Sequence, residues 1–155
     1  MKKVGLVFCV LLCSLGLCTQ AVCSGSHPFL SSFNCAETAV SIVATARGID
    51  LERISFQKLK SVNGEPISIG LIKEVLEDHG VSVKAVHADV ELFLEVGLIV
   101  IFHFEIEGEG HYSVGRILKE REVELYDPLL NDGETKIFDY EEIDQIWSGY
   151  AVLVK

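Results

Sequence analysis

The chain is poor in basic residues, with 13 Lys and Arg against 23 Asp and Glu, a formal charge of −10. That balance argues against nucleic acid and against an anionic membrane surface, both of which need basic patches. Metal-ligand spacing is missing too, with neither Cys-x-x-Cys nor His-Glu-x-x-His, and there is no Gly-x-x-x-x-Gly-Lys-Ser/Thr phosphate loop. No cofactor is therefore expected. Internal repeats and low-complexity stretches are absent. The five cysteines lie at 9, 13, 18, 23 and 35, all in the first quarter of the chain. They do not make a disulfide scaffold.

The opening residues are a different material from the rest. Met1-Lys2-Lys3 is a short basic segment, Val4 to Cys18 is small and apolar throughout, and Thr19-Gln20-Ala21 supplies small residues at −3 and −1. This is the pattern of a secretory signal, too short to span a bilayer comfortably as a permanent helix. The expected organisation is a signal over residues 1–21, an N-terminal segment over 22–33 and one domain over 34–155. Cleavage after Ala21 removes two lysines and no acids, taking the charge from −10 to −12. The expected location is exported, periplasmic or secreted. Lipid anchoring at Cys18 or Cys23 is the minor alternative, because Leu17 and Val22 stand where a small residue normally precedes a lipidated cysteine. Cys23 and Cys35 would survive cleavage and could pair in an oxidising compartment.

The 155-residue chain, 49% hydrophobic over its whole length, suffices for one core. Asn34 is a good N-cap, and Glu37 completes a capping-box pattern at the start of a helix that runs to about Arg47 and stops at Gly48. That helix is small and apolar on nearly every face, as a buried helix is. Leu51 to Lys60 reads as a second, amphipathic helix, followed by a turn at Asn63-Gly64-Glu65-Pro66. Ser68 caps a third helix that ends at Gly80. Val81 to Val86 alternates as a strand, and Asp89 caps a short helix up to Gly97. Beyond Gly97 the period becomes two: strands over Leu98–Glu105, His111–Lys119 and Glu122–Asp127, with turns at Glu107–Gly110 and Asn131-Asp132-Gly133. Asp139 caps a helix from Tyr140 to Trp147, and Tyr150 to Val154 is a last strand. Helices first and an antiparallel sheet afterwards make an α+β domain.

Cys35 stands at the first position of the buried helix, where free N–H groups and the helix dipole favour a thiolate. A small buried hydrophobe is the plainer use of such a cysteine. A nearby histidine would lower the thiol pKa further and shuttle its proton. The five candidates are His27, His79, His87, His103 and His111. His103 sits inside a strand as a packed histidine, and His79 and His87 lie at element ends, exposed to solvent. His111 opens a strand after a Glu/Gly-rich turn. If that strand pairs with Glu122–Asp127 as a hairpin, Asp127 becomes the neighbour of His111, as an orienting carboxylate must be. Turn punctuation at Asp127-Pro128 is the alternative.

In order along the chain, Asn34-Cys35 opening an apolar helix, Gly110-His111-Tyr112-Ser113-Val114 opening a strand and Tyr126-Asp127-Pro128 ending the next carry a resemblance. The Ser68–Val81 helix, the Leu98–His103 strand and Trp147-Ser148-Gly149-Tyr150 extend it. The chain resembles the peptidase domain of bacteriocin-processing exporters, the double-glycine leader peptidases of the papain-like superfamily, over about Phe29 to Val154. The resemblance implies a papain-like fold and a cysteine peptidase with Cys35 as nucleophile, His111 as base and then acid, and Asp127 as the residue orienting the imidazole. It implies a peptide or protein substrate, commonly cut in the family after a Gly-Gly pair. Nothing in the chain sets the oligomeric state.

Three positions depart from the family pattern. Phe29 stands where a glutamine usually donates to the oxyanion, Ala36 where glycine usually follows the cysteine, and Asn34 where aspartate usually precedes it. Losing one oxyanion donor costs on the order of a hundred-fold or more in rate. Backbone N–H groups of Cys35 and Asn34, or Ser31 and Ser32, are the expected compensation. A weak or inactive peptide-binding module is accordingly the alternative function. With no transporter attached and an export signal of its own, the domain is expected to act alone.

Overall fold

The computed structural model describes residues 34–60, 66–89, 97–106, 108–118, 121–127 and 135–155. Its first element is helix α1, Cys35–Ala46, opened by a complete capping box: Glu37 N–H donates to Asn34 Oδ1 at 2.9 Å and Asn34 N–H to the Glu37 carboxylate at 3.0 Å. Alanine, serine and threonine keep α1 slim enough to lie inside the domain. Ser41 and Thr45 satisfy their hydroxyls by donating to carbonyls four residues back, Glu37 and Ser41. Gly48, at φ +71°, closes the helix in a conformation that only glycine adopts freely.

The expected helix over Leu51–Lys60 is instead two single 3₁₀ turns, Leu51–Arg53 and Phe56–Leu59. Ile54 and Ser55 between them are extended, because the segment buries Ile54 and Leu59, five apart, and a continuous helix would turn these two away from one face. Helix α2, Ile69–Asp78, begins as expected at Ser68, whose hydroxyl accepts from Leu71 N–H.

Strands β1 (Val83–His87), β2 (Ile99–Ile106), β3 (Glu109–Ile117), β4 (Glu122–Tyr126), β5 (Thr135–Asp139) and β6 (Trp147–Val154) form an antiparallel sheet in the order β1-β6-β2-β3-β4-β5, with a short helix α3, Tyr140–Asp144, before β6. Two elements differ from expectation. Strand β5 lies where no strand was read, and α3 ends at Asp144 because Trp147 already pairs with Phe104 of β2. The expected turns at Asn63–Pro66 and Asn131–Gly133 and the helix after Asp89 fall largely or wholly outside the described residues. So do the signal, the segment 22–33 with Cys23 and His27, and Phe29.

Alternation along the strands sorts side chains into two cores. Ile101, Tyr112, Val114, Val152 and Val154 face α1 and α2, while Val100, Phe102, Phe104, Val123, Leu125 and Ala151 face Tyr140, Ile143 and Trp147. Helix α1 packs chiefly on β3, which brings its N-terminus to the strand that carries His111. This α+β arrangement has its helices around an antiparallel sheet and its cysteine at the head of the buried helix. No helix among the described residues is long and apolar enough to cross a membrane.

Candidate active site

Cys35 is half-buried at the first turn of α1, held there by the cap beneath it. Asn34 reaches further than the capping box, its side-chain N–H donating to Leu59 O at 2.8 Å, so the helix start is tied to the second 3₁₀ turn. These bonds commit the Asn34 backbone N–H to the cap itself, which removes it from the donors expected to serve an oxyanion. Around the thiol stand the His111 side chain and the backbone N–H groups of Tyr112 and Ala36. Burial raises the Cys35 pKa, but the His111 hydrogen bond, the N–H groups and the His111 charge outweigh it, and the thiol lies below its ordinary value.

His111 is the third residue of β3 rather than its first, opposite Phe104 of β2. Its Nε2 lies 2.6 Å from Asp127 Oδ2. A carboxylate only accepts, so Nε2 carries a proton and Nδ1 is the nitrogen left for the thiol. Burial lowers the imidazole pKa, while hydrogen bonds to Asp127 and Cys35 and the charges of both raise it, to about 9.

Asp127 follows the last residue of β4 and is 0% exposed. The β3–β4 ladder places it there: Val114 pairs with Tyr126, and one step further brings Asp127 opposite Ser113. The hairpin thus joins His111 and Asp127, and the packing of α1 on β3 brings Cys35 to the same end of that strand. Ser113 was not singled out from the sequence. Its hydroxyl also donates to Asp127 Oδ2, and the signal for it was its place two residues from His111 on the same strand face.

The other histidines do different work. His103 lies where β2 and β6 lose register between Phe102 and Phe104, and its Nδ1 sits 2.7 Å from Ser148 Oγ. The Ser148 hydroxyl donates to His103 O, so Nδ1 is the donor in the other bond. Burial lowers its pKa, opposed by Glu105 and reinforced by the charge of His111. The ring rests 4.9 Å from that of Tyr112 and fills the space beside Gly110, where a Cβ would meet Nε2 at 2.7 Å. His79, expected in solvent, is half-buried and meets the carbonyls of Val75 and Arg53 with its two ring nitrogens. His87 is exposed, its ring tilted against that of Tyr150 with 4.4 Å between centroids.

Tyr112 ties the site to the rest of the domain, its hydroxyl donating to Ile67 O at 2.7 Å just before the α2 cap. Burial and the nearby Cys35 push its phenol up to about 12, so it stays a donor throughout the neutral range.

Several solved structures share this fold. The peptidase domain of Streptococcus ComA, a bifunctional ABC transporter of a quorum-sensing pathway, superposes with a TM-score of 0.62 at 17% identity, over 78% of this chain and 90% of that one. A double-glycine motif protease from an AMS/PCAT transporter, solved with its leader peptide, gives 0.62 at 18% identity, over 78% and 84%. The N-terminal peptidase C39-like domain of a toxin-secretion ATP-binding protein from Vibrio parahaemolyticus gives 0.58 at 19%, over 79% and 97%. At these identities the likeness is one of fold, the papain-like peptidase fold expected from the sequence. No curated protein sequence matches the chain. The model of the peptidase C39 family matches residues 31–155, and the chain therefore belongs to that family of cysteine peptidases.

Proposed function

We propose that the chain cleaves a peptide or protein substrate with Cys35 as nucleophile, His111 as base and acid, and Asp127 as the group that orients the imidazole. The observation that carries this reading is the unbroken line of contacts from the Cys35 thiol through the His111 ring to the buried Asp127 carboxylate. The lowered thiol and raised imidazole favour transfer of the proton from sulfur to Nδ1 before substrate arrives.

The thiolate would attack the scissile carbonyl carbon, placing negative charge on its oxygen. Nδ1–H would then protonate the departing amine as the C–N bond breaks, leaving a thioester on Cys35. Nδ1, now bare, would take a proton from water, whose oxygen attacks the thioester carbonyl. Breaking the C–S bond releases the acid and restores the thiolate–imidazolium pair. Throughout, the Nε2–H bond to Asp127 would hold one tautomer and one ring orientation. With Asn34 N–H engaged in the cap, the Cys35 backbone N–H is the main-chain donor left for the oxyanion.

The leader peptide held by the AMS/PCAT protease supports an extended peptide as the substrate class here. The signal pattern of residues 1–21 supports export, with the domain acting beyond the membrane rather than on its cytoplasmic side.

The test is iodoacetamide alkylation of Cys35 in the full chain under reducing conditions, followed site by site by mass spectrometry against pH. Rapid reaction well below pH 7 that is lost in His111→Ala is the expected result. A rate that rises only near pH 8.5, the ordinary thiol range, and ignores His111→Ala would leave a peptide-binding module of the same fold.

A further inference from the structure

Two donors meet the Asp127 carboxylate from the same face of β3. His111 and Ser113 are two residues apart, so the alternation of a strand turns both towards the end of β4. The ladder does the rest, since one step past the Val114–Tyr126 pair sets Ser113 opposite Asp127. His111 Nε2 and Ser113 Oγ meet the same oxygen, Oδ2. Ser113 is 2% exposed and Asp127 0%, so water does not share this oxygen freely.

We propose that Ser113 is a positioning residue of this site: its hydroxyl keeps the buried Asp127 carboxylate aimed at the imidazole, so that the proton of His111 stays on Nε2 and Nδ1 faces Cys35. The inference rests on the reading of Cys35, His111 and Asp127 as the catalytic set.

The direction of the bond follows from the chemistry of the two groups. An ionised carboxylate has no proton to give, and a serine hydroxyl has one, so Ser113 donates. A buried carboxylate is costly unless hydrogen bonds replace its hydration, and donors to the charged form favour that form. A hydroxyl does this without bringing a charge. Lysine or arginine in its place would pair with Asp127 and weaken its hold on the imidazolium. The groups around the thiol are His111 and the backbone N–H of Tyr112 and Ala36, and Ser113 reaches the site through its bond to Asp127.

The titratable groups around this oxygen are few among the described residues. His111 of β3 faces Asp127 directly, and Cys35 of α1 lies beyond it. His103 of β2 senses the charge of His111, and the Tyr112 phenol senses that of Cys35. Removing the hydroxyl changes none of these groups. It leaves Asp127 Oδ2 with one fewer donor, so the carboxylate is less firmly aimed at Nε2 and supports the imidazolium, and through it the thiolate, less well.

The experiment compares the pH profile of Cys35 alkylation in the full-length protein with Ser113→Ala and Ser113→Thr, beside His111→Ala. In Ser113→Ala the alkaline limb moves towards neutrality by up to about one pH unit, because a less firmly aimed carboxylate supports the His111 imidazolium less. Ser113→Thr, which keeps the hydroxyl, brings the alkaline limb back. Nitrogen-15 shifts of the His111 ring read the tautomer in the same samples, and loss of the Nε2–H form in Ser113→Ala alone supports the proposal. If the alanine variant does not fold, Ser113→Cys, nearly isosteric and a weak donor, reads the same shift. An alkaline limb left in place, with the rate lowered equally at every pH, overturns the role of Ser113 and leaves the catalytic set standing. A His111→Ala profile identical to that of the unsubstituted protein overturns both.

Discussion

His111 Nε2 and Asp127 Oδ2 lie 2.6 Å apart although sixteen positions separate them in the chain. The distance is set by the β3–β4 hairpin and not by either side chain's reach. Because the strands are antiparallel, the early part of β3 must lie beside the end of β4, and each residue arrives with its backbone already fixed. The imidazole is therefore held from one side before any substrate enters.

Replacing Asp127 by asparagine tests what that contact does to the base. An amide would keep the shape and lose the charge, so the largest influence raising the His111 pKa would disappear. The imidazole should fall from about 9 towards its ordinary value near 6.5. The amide also offers an N–H as readily as an oxygen, so the tautomer is no longer fixed. Asp127→Asn should lower Cys35 alkylation at pH 7 by at least about ten-fold, and the alkaline limb of the profile should move towards neutrality. Rates measured from pH 4 to 10 would decide it; an unchanged alkaline limb would detach Asp127 from the base.

The same pair has a consequence for stability. A raised His111 pKa means that the folded chain binds its proton more tightly, which stabilises it below pH 6.5 and is lost as pH rises through about 9. The lowered Cys35 pKa works oppositely, adding stability above the unfolded thiol value of 9.0 that is lost as pH falls through the folded one. Above pH 6.5, between the folded thiol pKa and about 9, the folded state holds imidazolium and thiolate where the unfolded state holds imidazole and thiol. The proton counts match, so the pair should contribute nearly no slope there. Cys35→Ala removes one side of the cancellation. Its unfolding free energy should fall as pH rises from 6.5 towards the folded His111 pKa, by up to about 1.4 kcal/mol per unit. Urea titrations at pH 6, 7, 8 and 9 would show it, and parallel curves for the two proteins would count against the ion pair.

Asn34 joins stability to reactivity. It caps α1, receives Glu37 N–H and ties the helix start to Leu59 O. Asn34→Ala should cost about 1–2 kcal/mol in urea unfolding, the upper part of the range for a lost N-cap. The first turn that carries Cys35 would also loosen, so alkylation at pH 6 should slow. Asn34→Asp keeps the capping oxygen and loses the N–H donated to Leu59, and should recover most of the stability. If both variants match the unsubstituted protein, the cap does not hold the nucleophile in place.

Much of this was legible because the informative elements carry local signals. Asn34 and Glu37 announce the head of α1, Gly48 its end, and the hydrophobic alternation of Ile99–Ile106 and Glu109–Ile117 their strands. The nearness of His111 and Asp127 followed from assuming a hairpin, which the ladder provides. Strand β5 was missed because an edge strand has little to bury: Thr135, Lys136, Ile137 and Asp139 are all exposed, and the apolar alternation that reveals a strand is absent. Leu51–Lys60 looked helical because its apolar residues recur at helical intervals, while the packing that selects Ile54 and Leu59 is long-range. Ser113 escaped notice because serine in a strand is ordinary until a buried carboxylate is opposite it. The bulge around His103 depends on Ser148 and Gly149, some forty-five residues away, and has no local mark.

Gly115 offers a test of the sheet behind the site. It pairs with Val100 on one side and Leu125 on the other, and its missing side chain is what admits the Phe102 ring. A Cβ there would meet Phe102 at 2.7 Å and Val123 at 2.8 Å, closer than carbon atoms pack. Phe102 is fully buried, and its ring lies edge-on to Trp147 at 5.8 Å and stacked on Phe104 at 5.7 Å, so it has no open side to move into. Gly115→Ala should therefore destabilise by about 1–3 kcal/mol, the cost of overpacking a filled core, even though alanine normally suits a strand at least as well as glycine. Phe102→Leu alone should also destabilise, by leaving a cavity between β2 and β6. Combined, the two changes compensate, because the shorter side chain vacates the volume that the new methyl enters. The double variant should be more stable than the sum of the two losses predicts, by about 1 kcal/mol or more. Urea unfolding of the four proteins measures that coupling directly, and strict additivity would mean that the Phe102 ring does not occupy the space above Gly115.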